Sequence, residues 1–166
     1  MELGQVVKIN NAKGFTLAEL MIVIALIAIM SSIASFSWMR YVNNTNLQTA
    51  ARDVVSDFQS CKGKAISEGR NYFMAFVPGT NGWYWIYSPP TATNSLVLTQ
   101  KSFSQYGSGI RIQTASFALS PWSTWIQFFP RGTSSNGTVI MTNSRASIAT
   151  ITTNVTGKAY VTFSMQ

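Results

Sequence analysis

Glu19 is the first residue of this chain that needs a chemical partner. It stands directly before twenty uncharged residues, 20–39, and the next charge is Arg40. A carboxylate at the start of such an apolar run costs about 2–3 kcal/mol or more in lipid unless something neutralises it. The second set of chemically suggestive residues is cationic. The five acids are Glu2, Glu19, Asp53, Asp57 and Glu68, so nothing after Glu68 is acidic. The same stretch carries Arg70, Lys101, Arg111, Arg131, Arg145 and Lys158. A region with cations and no anions favours anionic partners such as nucleic acid, acidic polysaccharide or lipid head groups. Arg131, Arg145 and Lys158 make a patch for such a polyanion if their loops converge.

The same inventory argues against catalysis. The chain has no histidine, and the region after residue 69 has neither carboxylate nor cysteine. Metal sites built from His, Cys, Asp or Glu are excluded there, as are paired-carboxylate chemistry and a serine nucleophile with a histidine base. The glycine-rich stretch 132–137 lacks the lysine and helix of a phosphate-binding loop. The expectation is a protein that is not an enzyme and needs no cofactor. Cys61 is the only cysteine, so no disulfide forms within the chain. Its place on an apolar helix stripe reads as a small buried thiol.

These residues need elements to hold them. Residues 20–39 are about as long as a helix that crosses a bilayer core, roughly 20 residues at 1.5 Å each. Residues 1–14 read as a leader without an apolar region of its own. Lys8 and Lys13 in it predict a cytoplasmic N-terminus, with the rest on the far side. From Phe15 to Glu68 there is no proline, which predicts one long helix, or one helix with a soft joint at residues 43–46, where Asn and Thr are weak helix formers. Beyond the joint Leu47, Ala51, Val54, Phe58, Cys61 and Ala65 recur at helical spacing, and Gly69 is placed to cap the end. The expected divisions are therefore a leader (1–14), a transmembrane helix (15–40), an amphipathic helix (41–69) and a head (70–166).

In the head the period changes to that of strands. Residues 72–77, 83–87, 95–101, 110–117, 124–129, 138–142, 147–152 and 159–163 are the candidates, with Pro89-Pro90 ending the second and Asn143-Ser144-Arg145 turning a hairpin. Trp83, Trp85 and Tyr87 share one face of their strand and Tyr84 and Ile86 the other. Two apolar faces suggest that one packs on the helix and the other meets a second sheet. An exposed face near Lys101 or Arg111 would instead stack on bases or sugars. The fold class is α+β: a long N-terminal helix on an antiparallel sheet pair or sandwich.

Residues 13–20, Lys-Gly-Phe-Thr-Leu-Ala-Glu-Leu, resemble the type III signal of type IV pilins and type II secretion pseudopilins. The resemblance implies that prepilin peptidase cuts after Gly14, that Phe15 is then N-methylated, and that Glu19 pairs with the N-terminal amine of a neighbouring subunit. Physical chemistry agrees with that last role, because a carboxylate in lipid seeks a cation. Gly82-Trp83, and residues 129–133 followed by 137–140, resemble motifs of the GspH/FimT branch of minor pilins. The second motif would use Gly132 and Gly137 for positive φ in a tight return. The implied protein is a structural minor pilin or pseudopilin. It sits in the bacterial inner membrane with a periplasmic head, then in a pilus or pseudopilus among other major and minor pilin subunits. Members on the FimT side are similar minor pilins implicated in DNA uptake, with a Gly-Arg-x-Arg-type motif near the C-terminus. Here the matching stretch is Gly157-Lys158-Ala159-Tyr160, so one cation is a lysine and the other is a tyrosine. A lysine meets phosphate as a point charge, without arginine's two-pronged grip.

Overall fold

The computed structural model describes residues 14–79, 82–91, 94–107, 109–118 and 124–166. The leader up to Lys13, with Lys8, and the turn residues Thr80 and Asn81 lie outside the described residues. Helix α1 (Leu17–Glu68) ends where Gly69 takes φ 65°, the left-handed conformation that stops a helix cheaply only at glycine. The chain divides into two compact units, Met1–Trp38 and Met39–Gln166. In the first, the apolar side chains from Leu20 (59% exposed) to Ile33 (70% exposed) have no cover from the described residues. In the second, the stripe Leu47, Ala51, Val54, Phe58, Cys61 and Ala65 is wholly buried. Ala50 lies buried beside it.

Of the two alternatives at residues 43–46, a soft joint or an uninterrupted helix, the uninterrupted helix is observed. The helix runs through these residues because tertiary hydrogen bonds outweigh a weak local propensity. Asn143 Nδ2 donates to the Asn43 carbonyl (3.3 Å) and to Asn44 Oδ1 (3.1 Å), and Ser147 Oγ donates to Asn44 Oδ1 (2.8 Å). The two asparagines are thus clamps that tie the helix to the head.

The head consists of β1 (Tyr72–Val77), β2 (Trp83–Thr91), β3 (Asn94–Ser102), a 3-10 turn (Phe103–Tyr106), β4 (Arg111–Phe117), β5 (Trp125–Phe128), β6 (Gly137–Thr142), β7 (Ile148–Thr153) and β8 (Ala159–Ser164). They form two four-stranded antiparallel sheets, in the orders β3-β2-β1-β5 and β4-β6-β7-β8. The chain changes sheet three times, at β3 to β4, β4 to β5 and β5 to β6. Alternation sets the core face of each strand: Tyr72, Met74 and Phe76 on β1, Ile126 and Phe128 on β5, Val139 and Met141 on β6. Phe58 of the helix sits at the centre, its ring 5.9 Å from Phe76 and 5.7 Å from Phe128. Phe76 in turn stacks on Phe117 of the second sheet at 5.9 Å.

Two further expectations are corrected. Pro89 and Pro90 do not end β2, which continues to Thr91. Pairing with β1 stops at Tyr87, so the prolines fall where β2 has only β3 as a neighbour and where the β3 register is irregular. Nor does a second sheet cover Trp83, Trp85 and Tyr87. The second sheet meets the Phe76 side, through Phe117, and leaves these three half-buried. They shelter one another instead: Trp83 meets Trp85 edge-on at 4.4 Å, Tyr87 stacks on Phe73 at 5.1 Å, and Trp125 leans on Phe73 at 5.5 Å.

Phe58→Ala would leave a cavity that touches helix and sheet together. The expected loss is about 3–5 kcal/mol of stability, read by denaturant unfolding of the detergent-solubilised chain. Ser56→Ala, on the exposed side of the helix, should stay within about 0.5 kcal/mol of the parent.

Candidate functional site

Gly14 and Phe15 precede the helix and are exposed, Phe15 at 86%. Thr16 is the residue before the first helical turn, and Glu19 is the third residue inside it. Together they form a capping box. Glu19 N–H donates to Thr16 Oγ1 (3.2 Å), while Glu19 Oε2 accepts from Thr16 N–H (2.9 Å) and from Thr16 Oγ1 (3.0 Å). In a single chain the carboxylate is therefore occupied by the start of its own helix. Thr16 was not singled out above, although Thr-x-x-Glu before an apolar run carries the signal of this box.

The other described acids are also engaged within the chain. Asp57 accepts from Tyr84 Oη (2.5 Å) and from Lys101 Nζ (2.9 Å), and Asp53 accepts from Tyr106 Oη (2.5 Å). Glu68 pairs with Arg70, whose guanidinium lies 5.6 Å from the Tyr72 ring centre. The helix is thus latched to the first sheet by Asp57 and to the 3-10 turn after β3 by Asp53, two carboxylates at i and i+4 that lie on one helical face. Lys101 stands across from Tyr84, on the opposite face of the sheet from Trp83, Trp85 and Tyr87. It offers no charge to the aromatic side. Burial, then the hydrogen bond to Asp53, pushes the Tyr106 hydroxyl up to about 12. Tyr84 moves in the same direction, from burial and then Asp57. Burial, then the Asp57 charge, raises the Cys61 thiol to about 12, the state of an inert packed thiol.

The candidate cations separate into two groups. Residues 129–133 form a tight return closed by Phe129 N–H to the Thr133 carbonyl and Gly132 N–H to the Phe129 carbonyl, both 2.9 Å. Gly132 takes φ 79°, as its motif requires. Gly137 does not take positive φ. It is needed because a Cβ there would lie 2.4 Å from the Ser116 carbonyl oxygen. The return abuts the β7–β8 turn: Ser134 N–H donates to the Val155 carbonyl (3.1 Å), and a Cβ on Gly157 would lie 2.7 Å from the Gly132 carbonyl oxygen. Arg131 and Lys158 therefore share one end of the head. Lys62, missed by sequence reasoning because it lies far away in the chain, joins them by donating Nζ to the Thr156 carbonyl (3.0 Å). A cavity of about 570 Å³ opens beside Arg131, lined by Phe129, Pro130 and Thr133. Arg145 lies elsewhere, in the β6–β7 hairpin at the opposite end of β7, about 20 Å away for six residues of strand. Among the described residues no group of three metal-ligating side chains occurs.

An apolar, uncovered N-terminal helix continuing into a helix packed on an antiparallel head is the build of a pilin-like subunit. Comparison with known families agrees: the chain matches the prokaryotic N-terminal methylation motif over residues 9–35 and the type II transport protein GspH over residues 50–157, and it belongs to the GspH family. It is a minor pilin or pseudopilin, of a type IV pilus or a type II secretion system. Similar solved structures include the minor pseudopilin EpsH of the type 2 secretion system of Vibrio cholerae, with TM-score 0.57 and 10% identity over 71% of this chain and 97% of that one. The type IV minor pilin FimU of Pseudomonas aeruginosa has TM-score 0.56 and 12% identity over 74% and 92%. GspH of E. coli has TM-score 0.55 and 14% identity over 74% and 91%. At these identities the likeness speaks for the fold. No curated protein matches the chain in sequence.

The tyrosine latches predict alkaline lability. A tyrosine whose folded value lies above its unfolded value of about 10 adds stability that is complete below pH 10 and is lost as pH rises through the folded value. Thermal unfolding of the full chain in detergent should therefore change little up to about pH 10 and fall towards pH 12, the folded value for Tyr106. Tyr106→Phe should be less stable at pH 8 by about 1–3 kcal/mol, the cost of depriving a carboxylate of its donor, and less sensitive to pH above 10.

Proposed function

We propose that this chain is a structural, non-catalytic subunit made as a prepilin. Residues 15–40 anchor it in the bacterial inner membrane, with the N-terminus cytoplasmic and the head periplasmic. Prepilin peptidase removes residues 1–14 after Gly14, and Phe15 becomes the N-methylated first residue. Residues 41–69 fix the head, residues 70–166, to this anchor, and the mature chain enters a pilus or pseudopilus beside other pilin subunits. The observation that carries this reading is the exposed run of large apolar side chains from Leu20 to Ile33, which the described residues leave uncovered and which therefore needs lipid first and other subunits later.

Phe15 and Glu19 set subunit register in this reading. Cleavage after Gly14 would place a cationic amine one residue from Thr16, beside the carboxylate that Thr16 already holds. A neighbour's amine competes for the same oxygens, and a carboxylate bonds a cationic donor more strongly than the neutral donors of Thr16. The capping box holds Glu19 satisfied until that exchange. Glu19→Ala is expected to insert and to lose residues 1–14 with one methyl group gained, read by intact mass, yet to enter filaments poorly. Incorporation at the parental level would reject the pairing role, and an intact leader in the parent would reject processing at Gly14.

A second reading is contact with DNA, favoured by the shared position of Arg131, Lys158 and Lys62. Mobility shifts of duplex DNA by the detergent-solubilised chain would then weaken with salt and with Arg131→Ala or Lys158→Ala, while Arg145→Ala would change little. Failure to bind at low salt removes this reading and leaves the assembly role.

A further inference from the structure

We infer that the end of the head nearest the apolar segment is a docking surface for anionic phospholipid head groups, built from Arg40, Arg111 and Arg145. This rests on the reading that residues 20–39 span the bilayer. The three arginines come from the start of the head helix, the start of β4 and the tip of the β6–β7 hairpin. Asn143 in that tip donates to the Asn43 carbonyl (3.3 Å) and to Asn44 Oδ1 (3.1 Å). Asn43 follows the last residue of the apolar run by about 6 Å of helix at 1.5 Å per residue. The hairpin tip is therefore tied to helix residues that follow the end of the apolar run by only four and five positions in the chain. Arg111 pairs with Thr142 in the β4–β6 ladder, next to the tip. Gly109 before it packs so tightly that a Cβ would lie 2.9 Å from Ser144 Cβ.

Charge and polarity at this end suit lipid phosphate. The head's acids, Asp53, Asp57 and Glu68, lie further along the helix and bond within the chain. A carboxylate on Gln166, whose carbonyl accepts from Asn44 Nδ2, would offset one cation of the three. The neutral polar groups here, Asn44, Asn143 and Ser147, bond to one another, and the arginines are the positively charged side chains of this end. Tyr41, 67% exposed, follows Arg40 in the helix, an aromatic suited to the membrane–water boundary. Arginine grips phosphate oxygens bidentately, and basic groups beside a membrane are drawn to anionic lipid. Nucleic acid is the poorer occupant, because Arg40 directly follows the apolar run and the hairpin tip is tied to residues 43 and 44, so a membrane-bound chain meets lipid head groups first.

The test uses the full chain in vesicles. Cys61 is buried, so a nitroxide can be placed by Ser144→Cys in the native background, with the parent as labelling control. Ala28→Cys reports the span. Broadening of the residue-144 signal by a nickel-chelating lipid should be several-fold greater in vesicles with about one-third phosphatidylglycerol than in neutral ones. It should return to the neutral level at about 1 M salt, where the Debye length is about 3 Å. Adding Arg40→Gln, Arg111→Gln and Arg145→Gln should abolish the difference, while Arg131→Gln with Lys158→Gln should leave it intact. Equal broadening in both lipids overturns the surface, as does a difference that the three substitutions leave unchanged or that the Arg131/Lys158 control also removes. A residue-28 label outside the hydrocarbon in both lipids overturns the spanning reading itself. A buried residue-28 label with an unresponsive residue 144 rejects only the lipid surface.

Discussion

One helix changes the distribution of its apolar side chains without a break. Residues 20–39 carry no charge on any side, while from Leu47 to Ala65 the apolar side chains collapse to a single stripe that a β head covers. Everything in the head follows from the need to hold that stripe. Phe58 sits among Phe76 and Phe128, the asparagines at 43 and 44 bind the β6–β7 hairpin, and Asp53 and Asp57 reach to tyrosines of the first sheet region. The order is packing first and polar latches second. The buried stripe and rings supply the larger share of the driving force, and the hydrogen bonds select the register.

Those latches also shape the electrostatics. Each described acid is spent inside the molecule, on a helix cap, on two tyrosines and a lysine, or on Arg70. The surface is consequently basic because of where the carboxylates are used as much as because of how few there are. The cations then sort by topology. A strand of six residues separates the β6–β7 and β7–β8 turns, so the arginine at one and the lysine at the other face different surroundings.

Much of this was legible in the residues. The helical stripe, all eight strands and the cap at Gly69 follow from period and from glycine placement, because these depend on local geometry. The misreadings have a common cause, which is that long-range contacts decided them. Asn43 and Asn44 look like a weak point until Asn143 arrives from about a hundred residues away. Pro89 and Pro90 look like a stop until one knows that β1 no longer pairs there. Trp83, Trp85 and Tyr87 look like core, since sequence alternation cannot say which of two apolar faces the second sheet will choose. The meeting of Lys62, Arg131 and Lys158 was invisible for the same reason, while Thr16 carried a short-range signal that was there to be read.

The three sheet changes constrain how the head can form. Strand β4 belongs to the second sheet but is made before β5, which completes the first beside β1. Neither sheet is built from one continuous run of chain. The hairpins β1–β2–β3 and β6–β7–β8 are local and can zip quickly, but the β1–β5 ladder must close a loop that contains β2, β3 and β4. The first sheet is therefore complete only once β5 has been delivered, and the second only once β8 has. The helix stripe made first remains without its cover until then, a window in which a chaperone or a neighbouring subunit has something apolar to hold.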